Sequence, residues 1–117
     1  MGTVTAIGNS VAEFWKSLIT GDRGIAQITA FDPRGLRNEN AGEVRDWAFT
    51  APEFGLDRAP DRATQFLLTA AREAIRDAGI ATPPDNPARA GIVLATNFGG
   101  SRSWEEYVTG LLHGEAC

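Results

Sequence analysis

The chain has 117 residues, a formal net charge of −4 and 22% charged residues, which is typical of a single globular domain. It has no lysine- or arginine-rich run and no apolar stretch near the ~20 residues that span a bilayer, so we expect neither a nucleic-acid partner nor a membrane span. Its one cysteine, Cys117, cannot form an internal disulfide. A single cysteine is compatible with the reducing cytoplasm, where we expect the protein to reside.

The first predicted helix begins after Ser10. Ser10 and Glu13 have the S-x-x-E spacing of a capping box, and apolar residues recur at helical spacing from Val11 to Leu18. Gly21 supplies the left-handed residue that commonly ends a helix. The local signals therefore predict a helix between Ser10 and Gly21.

Residues 22–60 contain frequent Gly, Pro, Asn and Asp and no sustained hydrophobic period. We predict a long irregular segment here, with a short strand near residues 41–44. An irregular segment of this length usually serves a function or contacts another part of a protein.

The strongest helical pattern follows Pro60, which can occupy a first turn because its missing N–H is not needed there. Gly79 is predicted to end this helix, and Pro83 and Pro84 prevent it from resuming. Its apolar stripe is rich in alanine, so we expect a neighbouring sheet or helix to approach closely. The stripe consists of Ala63, Phe66, Leu67, Ala70, Ala71, Ala74, Ile75 and Ala78.

The segment Gly91–Thr96 is predicted to form a strand buried on both faces, because Ile92, Val93 and Leu94 are consecutive and apolar. Strand pieces that alternate with helices indicate an α/β layer fold.

A third helix is predicted to start near Ser101 or Ser103. Ser103 and Glu106 have the spacing of a second capping box. The apolar face of this helix consists of Trp104, Tyr107, Val108, Leu111 and Leu112.

The turn between the predicted strand and this helix, Asn97–Gly100, has two interpretations. It could hold a phosphate at a helix N-terminus, but it has neither the G-x-x-x-x-G-K-[ST] nor the G-x-G-x-x-G spacing. A strand–turn–helix corner explains Gly99 and Gly100 without a ligand, and we favour it. Phe98 lies at the carboxyl end of the predicted strand, where α/β folds place their ligands, although an aromatic of the core or of an interface is the alternative.

The residues alone predict no catalytic or metal-binding group and no cofactor. His113 and Cys117 form the one possible thiolate pair, but no third residue nearby would orient it. One histidine and one cysteine cannot complete a zinc site. Glu105 and Glu106 are neighbours on a predicted helix and therefore point in different directions, as expected of a solvated face.

Several segments, taken in chain order, resemble the N-terminal part of the beta-ketoacyl-acyl carrier protein synthases, the condensing enzymes of fatty acid and polyketide assembly. The resemblance covers nearly all of residues 1–100. Its segments are "TAIGNSVAEFWKSLITGDRGI", "FDPRGL", "AGEVRDW", "RATQFLLTAAREAIRDAGI" and "NPARAGIVLATNFGG".

This resemblance implies an α/β fold that is part of a thiolase-like fold, in which two α-β-α-β-α halves stack in layers. Residues 1–117 would form the N-terminal part of a beta-ketoacyl synthase N-terminal domain, truncated at both ends. The piece would lack the first strand and the C-terminal half, because Met1 falls inside the family's opening T-G-x-G turn. We expect such a piece not to fold stably alone.

The resemblance also implies decarboxylative Claisen condensation, in which a cysteine takes an acyl group and two histidines assist attack by a malonyl unit. The implied partner is acyl carrier protein with a phosphopantetheine-linked acyl substrate, and the implied assembly is a homodimer or heterodimer. The family's cysteine motif and histidines lie beyond the matched region. Neither Cys117 nor His113 corresponds to them, so we expect no catalytic residue in this chain.

One substrate-binding position is implied. The family's turn reads G-S/T-G-x-G-G, and its variable residue, beside the acyl pocket near the dimer interface, corresponds to Phe98. Asn97 departs from the glycine of that pattern. The resemblance implies that Phe98 limits or gates the pocket.

Three functions remain open at this point. The chain could belong to a condensing synthase, or to a chain-length factor, the related subunit that lacks the nucleophilic cysteine. It could instead be a free-standing binding module that uses its helix stripe as an interface, which soluble and monodisperse behaviour would favour. For the synthase, the resemblance leaves two pathways open, fatty acid biosynthesis and polyketide biosynthesis.

Overall fold

The computed structural model describes residues 1–114. These residues contain helices α1 (Val11–Thr20), α2 (Arg62–Asp77) and α3 (Ser101–Leu112), and strands β1 (Ile25–Gln27) and β2 (Asn40–Gly42). Short 3-10 turns lie at Ala51–Phe54 and Pro87–Arg89.

The chain forms two compact units. Unit 1 consists of Met1–Ala48 and Thr69–Ile80, and unit 2 consists of Phe49–Leu68 and the described residues from Ala81 onward. Helix α2 contributes its first part to unit 2 and its last part to unit 1.

Helix α1 confirms the prediction from its end signals. The Ser10 hydroxyl accepts the N–H of Glu13 at 3.3 Å, and the Glu13 carboxylate accepts the N–H of Asn9 at 2.8 Å. The reciprocal bond of the capping box therefore reaches the residue before the cap. Gly21 ends the helix with φ 77°, a left-handed conformation that costs glycine little.

The irregular segment contains an antiparallel strand pair, in which β1 pairs with β2 and Ile25 lies opposite Gly42. The predicted strand at residues 41–44 overlaps β2, whereas β1 was not predicted. Glu43 directly follows β2, and its carboxylate accepts the backbone N–H of Ala30 at 2.9 Å and pairs with Arg45 at 2.9 Å. The Ala30 N–H, the Arg45 guanidinium and the Thr29 hydroxyl lower the pKa of Glu43 to about 2. The ionised carboxylate thus holds the chain that follows β1.

Helix α2 confirms the second predicted helix, with a different start. Pro60 lies before the helix and not in its first turn. Asp61 caps the helix, because its carboxylate accepts the N–H groups of Ala63 and Thr64 at 3.0 and 3.2 Å. The Thr64 hydroxyl, followed by the Thr64 N–H, lowers the pKa of Asp61. Gly79, at φ 63°, follows the helix as predicted.

In unit 1, the backbone at Gly2 packs closely against the alanine-rich stripe of α2. A Cβ atom on Gly2 would lie 1.9 Å from the Ala70 carbonyl oxygen and 2.7 Å from the Ala74 nitrogen. The expectation of close approach is confirmed, but the neighbour is the N-terminal segment and not a sheet or a helix.

The prediction of a buried strand at Gly91–Thr96 is wrong for the described residues. These residues form no strand, and Ile92 and Val93 are 86% and 98% exposed. A strand buried on two faces needs neighbouring strands and covering helices. Among residues 1–114 the only sheet is the β1–β2 pair, so no ladder is available to this segment.

Helix α3 begins at Ser101 with Gly100 as its N-cap, so the predicted start is confirmed. The capping box predicted for Ser103 and Glu106 is wrong, because Ser103 lies inside the helix and Glu106 pairs with Arg102 at 2.9 Å. The predicted apolar face is largely exposed, with Trp104 and Tyr107 in tilted contact at a ring-centroid distance of 5.7 Å.

Only Pro33 and Ala51 are buried among the described residues. No helix in residues 1–114 has the length and apolar character needed to cross a membrane.

Candidate functional site

The glycine corner of unit 2, defined as residues 96–101, connects the exposed apolar segment, residues 91–95, to α3. Gly100 adopts φ 81°, which a residue with a side chain rarely adopts, and its carbonyl accepts the N–H of Trp104 at 3.0 Å. The local sequence explains this geometry, because glycine permits the reversal and the following residues favour a helix. The predicted turn into a helix is confirmed, but the strand that the predicted strand–turn–helix corner also requires is not formed by residues 91–96.

Hydrogen bonds hold the peptide group between Phe98 and Gly99 from both sides. Its N–H donates to the Thr96 hydroxyl at 2.9 Å, and its carbonyl accepts the Ser101 N–H at 3.3 Å and the Ser101 hydroxyl. The backbone that carries Phe98 is therefore fixed by residues within the corner. The Phe98 side chain is 80% exposed.

A cleft of about 950 Å³ lies within unit 2. This volume is within the range of small-molecule sites, roughly 300–1,000 Å³. Three segments line the cleft: the start of α2 with the residues before it, the glycine corner, and the start of α3. The lining residues are Arg58, Ala59, Pro60, Asp61, Arg62, Ala63, Gln65, Phe66, Thr96, Phe98, Gly99, Gly100, Ser101, Arg102, Ser103 and Glu106.

The charge of the cleft is mixed, with three arginines and two acidic residues. The Arg62 guanidinium lies 4.9 Å from the centre of the Phe66 ring, a cation–π distance. Arg102 pairs with Glu106, and Asp61 caps α2. These contacts hold charged side chains that line the cleft. The lining residues include no histidine or cysteine that could act as a nucleophile or base.

Phe98 lines the cleft, whereas His113 does not. His113 follows α3, where its backbone N–H bonds to the Thr109 carbonyl at 3.1 Å, and its side chain is exposed. Cys117 lies outside the described residues. Glu105 and Glu106 are both exposed, as expected of a solvated face. Within residues 1–114, no group of three histidine, cysteine, aspartate or glutamate residues could hold a metal ion.

Sequence reasoning missed the part played by Asp61 and Ala63. Asp61 is separated from Thr64 by two residues, the spacing of a helix cap, so a local signal was present. Ala63 was assigned to the stripe of α2, but a Cβ atom on Gly99 would lie 3.3 Å from the Ala63 Cβ. Only the fold brings Gly99 and Ala63 together.

The helices, the small strand pair and the glycine corner define the class of this protein as a partial α/β chain with a ligand-sized cleft. The chain belongs to the beta-ketoacyl synthase family, since the family model "Beta-ketoacyl synthase, N-terminal domain" matches residues 1–114. The resemblance inferred from the sequence segments is therefore confirmed.

Similar curated proteins are named either as 3-oxoacyl-[acyl-carrier-protein] synthases or as polyketide beta-ketoacyl synthases. The chain is 35% identical to 3-oxoacyl-[acyl-carrier-protein] synthase 2 of Synechocystis sp., over 96% of this chain and 27% of that protein. It is 40% identical to the putative polyketide beta-ketoacyl synthase 1 of Streptomyces halstedii, over 92% of this chain and 26% of that protein. The chain thus spans about a quarter of the length of the curated relatives it matches.

A solved structure, the ishigamide ketosynthase/chain length factor, superposes with a TM-score of 0.74 at 30% identity. The match covers 97% of this chain and 29% of that one. The described elements therefore match a portion of that ketosynthase-type fold, which agrees with the expected partial α/β architecture.

Proposed function

We propose that this chain is a segment of a 3-oxoacyl-[acyl-carrier-protein] synthase that elongates acyl chains by decarboxylative condensation. The match of the family model to residues 1–114 is the observation that carries the proposal. In this reaction a carbon–carbon bond forms between the malonyl unit and the acyl carbonyl, carbon dioxide leaves, and the enzyme's cysteine thiolate is released. The partner is acyl carrier protein, which presents the acyl group on phosphopantetheine.

The catalytic cysteine and histidines belong to other parts of the parent protein in this proposal. The domain assignment follows: residues 1–117 form part of the N-terminal domain of a parent synthase that acts as a dimer in the cytoplasm. The contribution of this chain is a wall of the acyl-binding site. The exposed apolar segment and the exposed face of α3 are surfaces that the rest of such a protein would cover.

Phe98 is the proposed substrate-binding residue, and it limits the length of the acyl chain. Its support is geometric: the side chain lies on the cleft, its backbone is held by the corner, and the ring is free of packing on most of its surface. A phenylalanine ring occupies volume that an extended acyl chain would need, so a smaller residue should admit longer chains.

The test uses a chimeric synthase, in which this chain replaces the aligned segment of the Synechocystis enzyme. Mass spectrometry of the products from acyl carrier proteins of increasing acyl length gives its chain-length profile. Phe98→Gly is expected to extend the profile to longer chains. Phe31→Gly is the matched control, because Phe31 is also exposed but does not line the cleft. An unchanged profile for Phe98→Gly, or the same change for Phe31→Gly, would refute the assignment.

A chain-length factor is the second candidate function, favoured by the similarity to the ishigamide ketosynthase/chain length factor. The two candidates differ in whether the parent protein has the nucleophilic cysteine. Sequencing of the reading frame beyond residue 117 separates them: an in-frame cysteine motif supports the synthase, and a substituted motif supports the factor.

A further inference from the structure

The glycine corner contains a hydroxyl group, that of Thr96, which lies against Gly99. The Thr96 hydroxyl accepts the Gly99 N–H at 2.9 Å. It also occupies the space beside the Gly99 Cα, because a Cβ atom there would lie only 2.5 Å from the Thr96 Oγ1. A threonine hydroxyl that bonds a backbone group a few residues away is a common device for fixing a turn.

Helix α2 bounds the corner through Ala63. A Cβ atom on Gly99 would lie 3.3 Å from the Ala63 Cβ, so Gly99 itself lies close to the first turn of α2. The small side chains at these two positions permit this approach. Gly99 therefore lies between the Thr96 hydroxyl and α2.

The same hydrogen bond controls the direction of the chain at Phe98. The Gly99 N–H and the Phe98 carbonyl belong to one planar peptide group, which Thr96 holds at the N–H and Ser101 holds at the carbonyl. Because the Phe98 Cα belongs to this plane, the two bonds restrict the position of the atom that carries the Phe98 side chain. Loss of the Thr96 bond would leave the plane free to tilt about the remaining contacts.

We propose that Thr96 is a positioning residue for Phe98, and that its hydroxyl sets the acyl-length limit by holding the Phe98 ring at the cleft. This inference rests on the proposed function of Phe98. Thr96 acts through the corner backbone and takes no part in the condensation itself.

Thr96→Val and Thr96→Ser in the chimeric synthase test this proposal. Valine preserves the shape of the side chain and removes the hydroxyl, whereas serine keeps the hydroxyl. Thr109→Val is the matched control, because Thr109 is an exposed threonine of α3 that does not line the cleft. Two quantities are measured: hydrogen exchange of the peptide that contains the Gly99 amide, and the chain-length profile.

For Thr96→Val, we expect Gly99 exchange to be about 2- to 10-fold faster, the effect of losing one ordinary hydrogen bond. We also expect the profile to extend towards longer chains, while Thr96→Ser and Thr109→Val retain both original properties. Thr96→Val should have no further effect on the profile of Phe98→Gly, because the ring that it positions is absent.

Each alternative outcome refutes a defined step. If Phe98→Gly extends the profile and Thr96→Val does not, the positioning role is wrong and the proposed function of Phe98 stands. If neither substitution changes the profile, both assignments are wrong. If Thr96→Ser changes exchange and profile as much as Thr96→Val does, or if the double variant shifts further than Phe98→Gly alone, the hydroxyl does not act through Phe98.

Discussion

Glu73 on α2 joins two separate parts of unit 1, and its replacement gives the most direct test of how this unit is held together. One carboxylate oxygen accepts the Thr3 N–H at 2.9 Å, and the other accepts the Val11 N–H at 2.8 Å. Val11 is the first residue of α1, where backbone N–H groups have no partner within the helix. The perturbation is Glu73→Gln, which preserves size and removes one of the two acceptors.

The expected cost follows from these two bonds. The glutamine oxygen can accept one N–H, while its NH₂ group faces the other N–H and leaves that donor unpaired. Leaving a partly buried donor without a partner costs about 1–3 kcal/mol. The loss of a negative charge at the start of α1 acts in the same direction, since the helix N-terminus favours anions. At 25 °C this range corresponds to about 5- to 160-fold faster exchange of protected amides.

Hydrogen exchange with mass spectrometry on the chimeric synthase measures the effect in peptides that contain Thr3 and Val11. Glu105→Gln is the matched control, because Glu105 is exposed on α3, and a surface change of this kind is usually within ±0.5 kcal/mol. Unchanged protection in Glu73→Gln, or equal loss in Glu105→Gln, would refute the bridging role of Glu73.

Two further predictions concern packing. Gly2→Ala should lower the melting temperature of the chimeric synthase, because the added Cβ would overlap the Ala70 carbonyl, and overpacking typically costs about 1–3 kcal/mol. Gly91→Ala is its control, since a Cβ atom there meets nothing within 4 Å, and equal melting temperatures for the two variants would contradict the packing. The isolated chain of 117 residues should show no cooperative transition in scanning calorimetry, because only Pro33 and Ala51 are buried among its described residues. A sharp heat-absorption peak would refute that expectation.

Helix ends were predictable because their signals are local. Ser10, Gly21 and Gly79 each lie within a few residues of the backbone groups that they cap or terminate, so the sequence contains both partners. Asp61 was missed although its signal is equally local, because the preceding proline also fits a helix start.

Strand pairing depends on distant residues and was predicted poorly. The apolar segment at residues 91–96 has the composition of a buried strand, yet its state depends on neighbours that residues 1–114 do not supply. Strand β1 has three residues, too few for a period-2 pattern to be recognised.

The site was predictable only in part. Its glycine corner followed from local sequence, whereas the place of Phe98 in a substrate site came from family resemblance. The contact of Gly99 with Ala63 required the fold, because 35 intervening residues separate the two positions.

The most direct test of the central claim is the condensation activity of the chimeric synthase, measured as 3-oxoacyl product formed from acyl and malonyl carrier proteins. A chimera whose catalytic cysteine is replaced serves as the inactive control. If this chain is a segment of a condensing synthase, the chimera should form 3-oxoacyl product and the control should not. A chimera that is insoluble, or folded but without product, would contradict the claim.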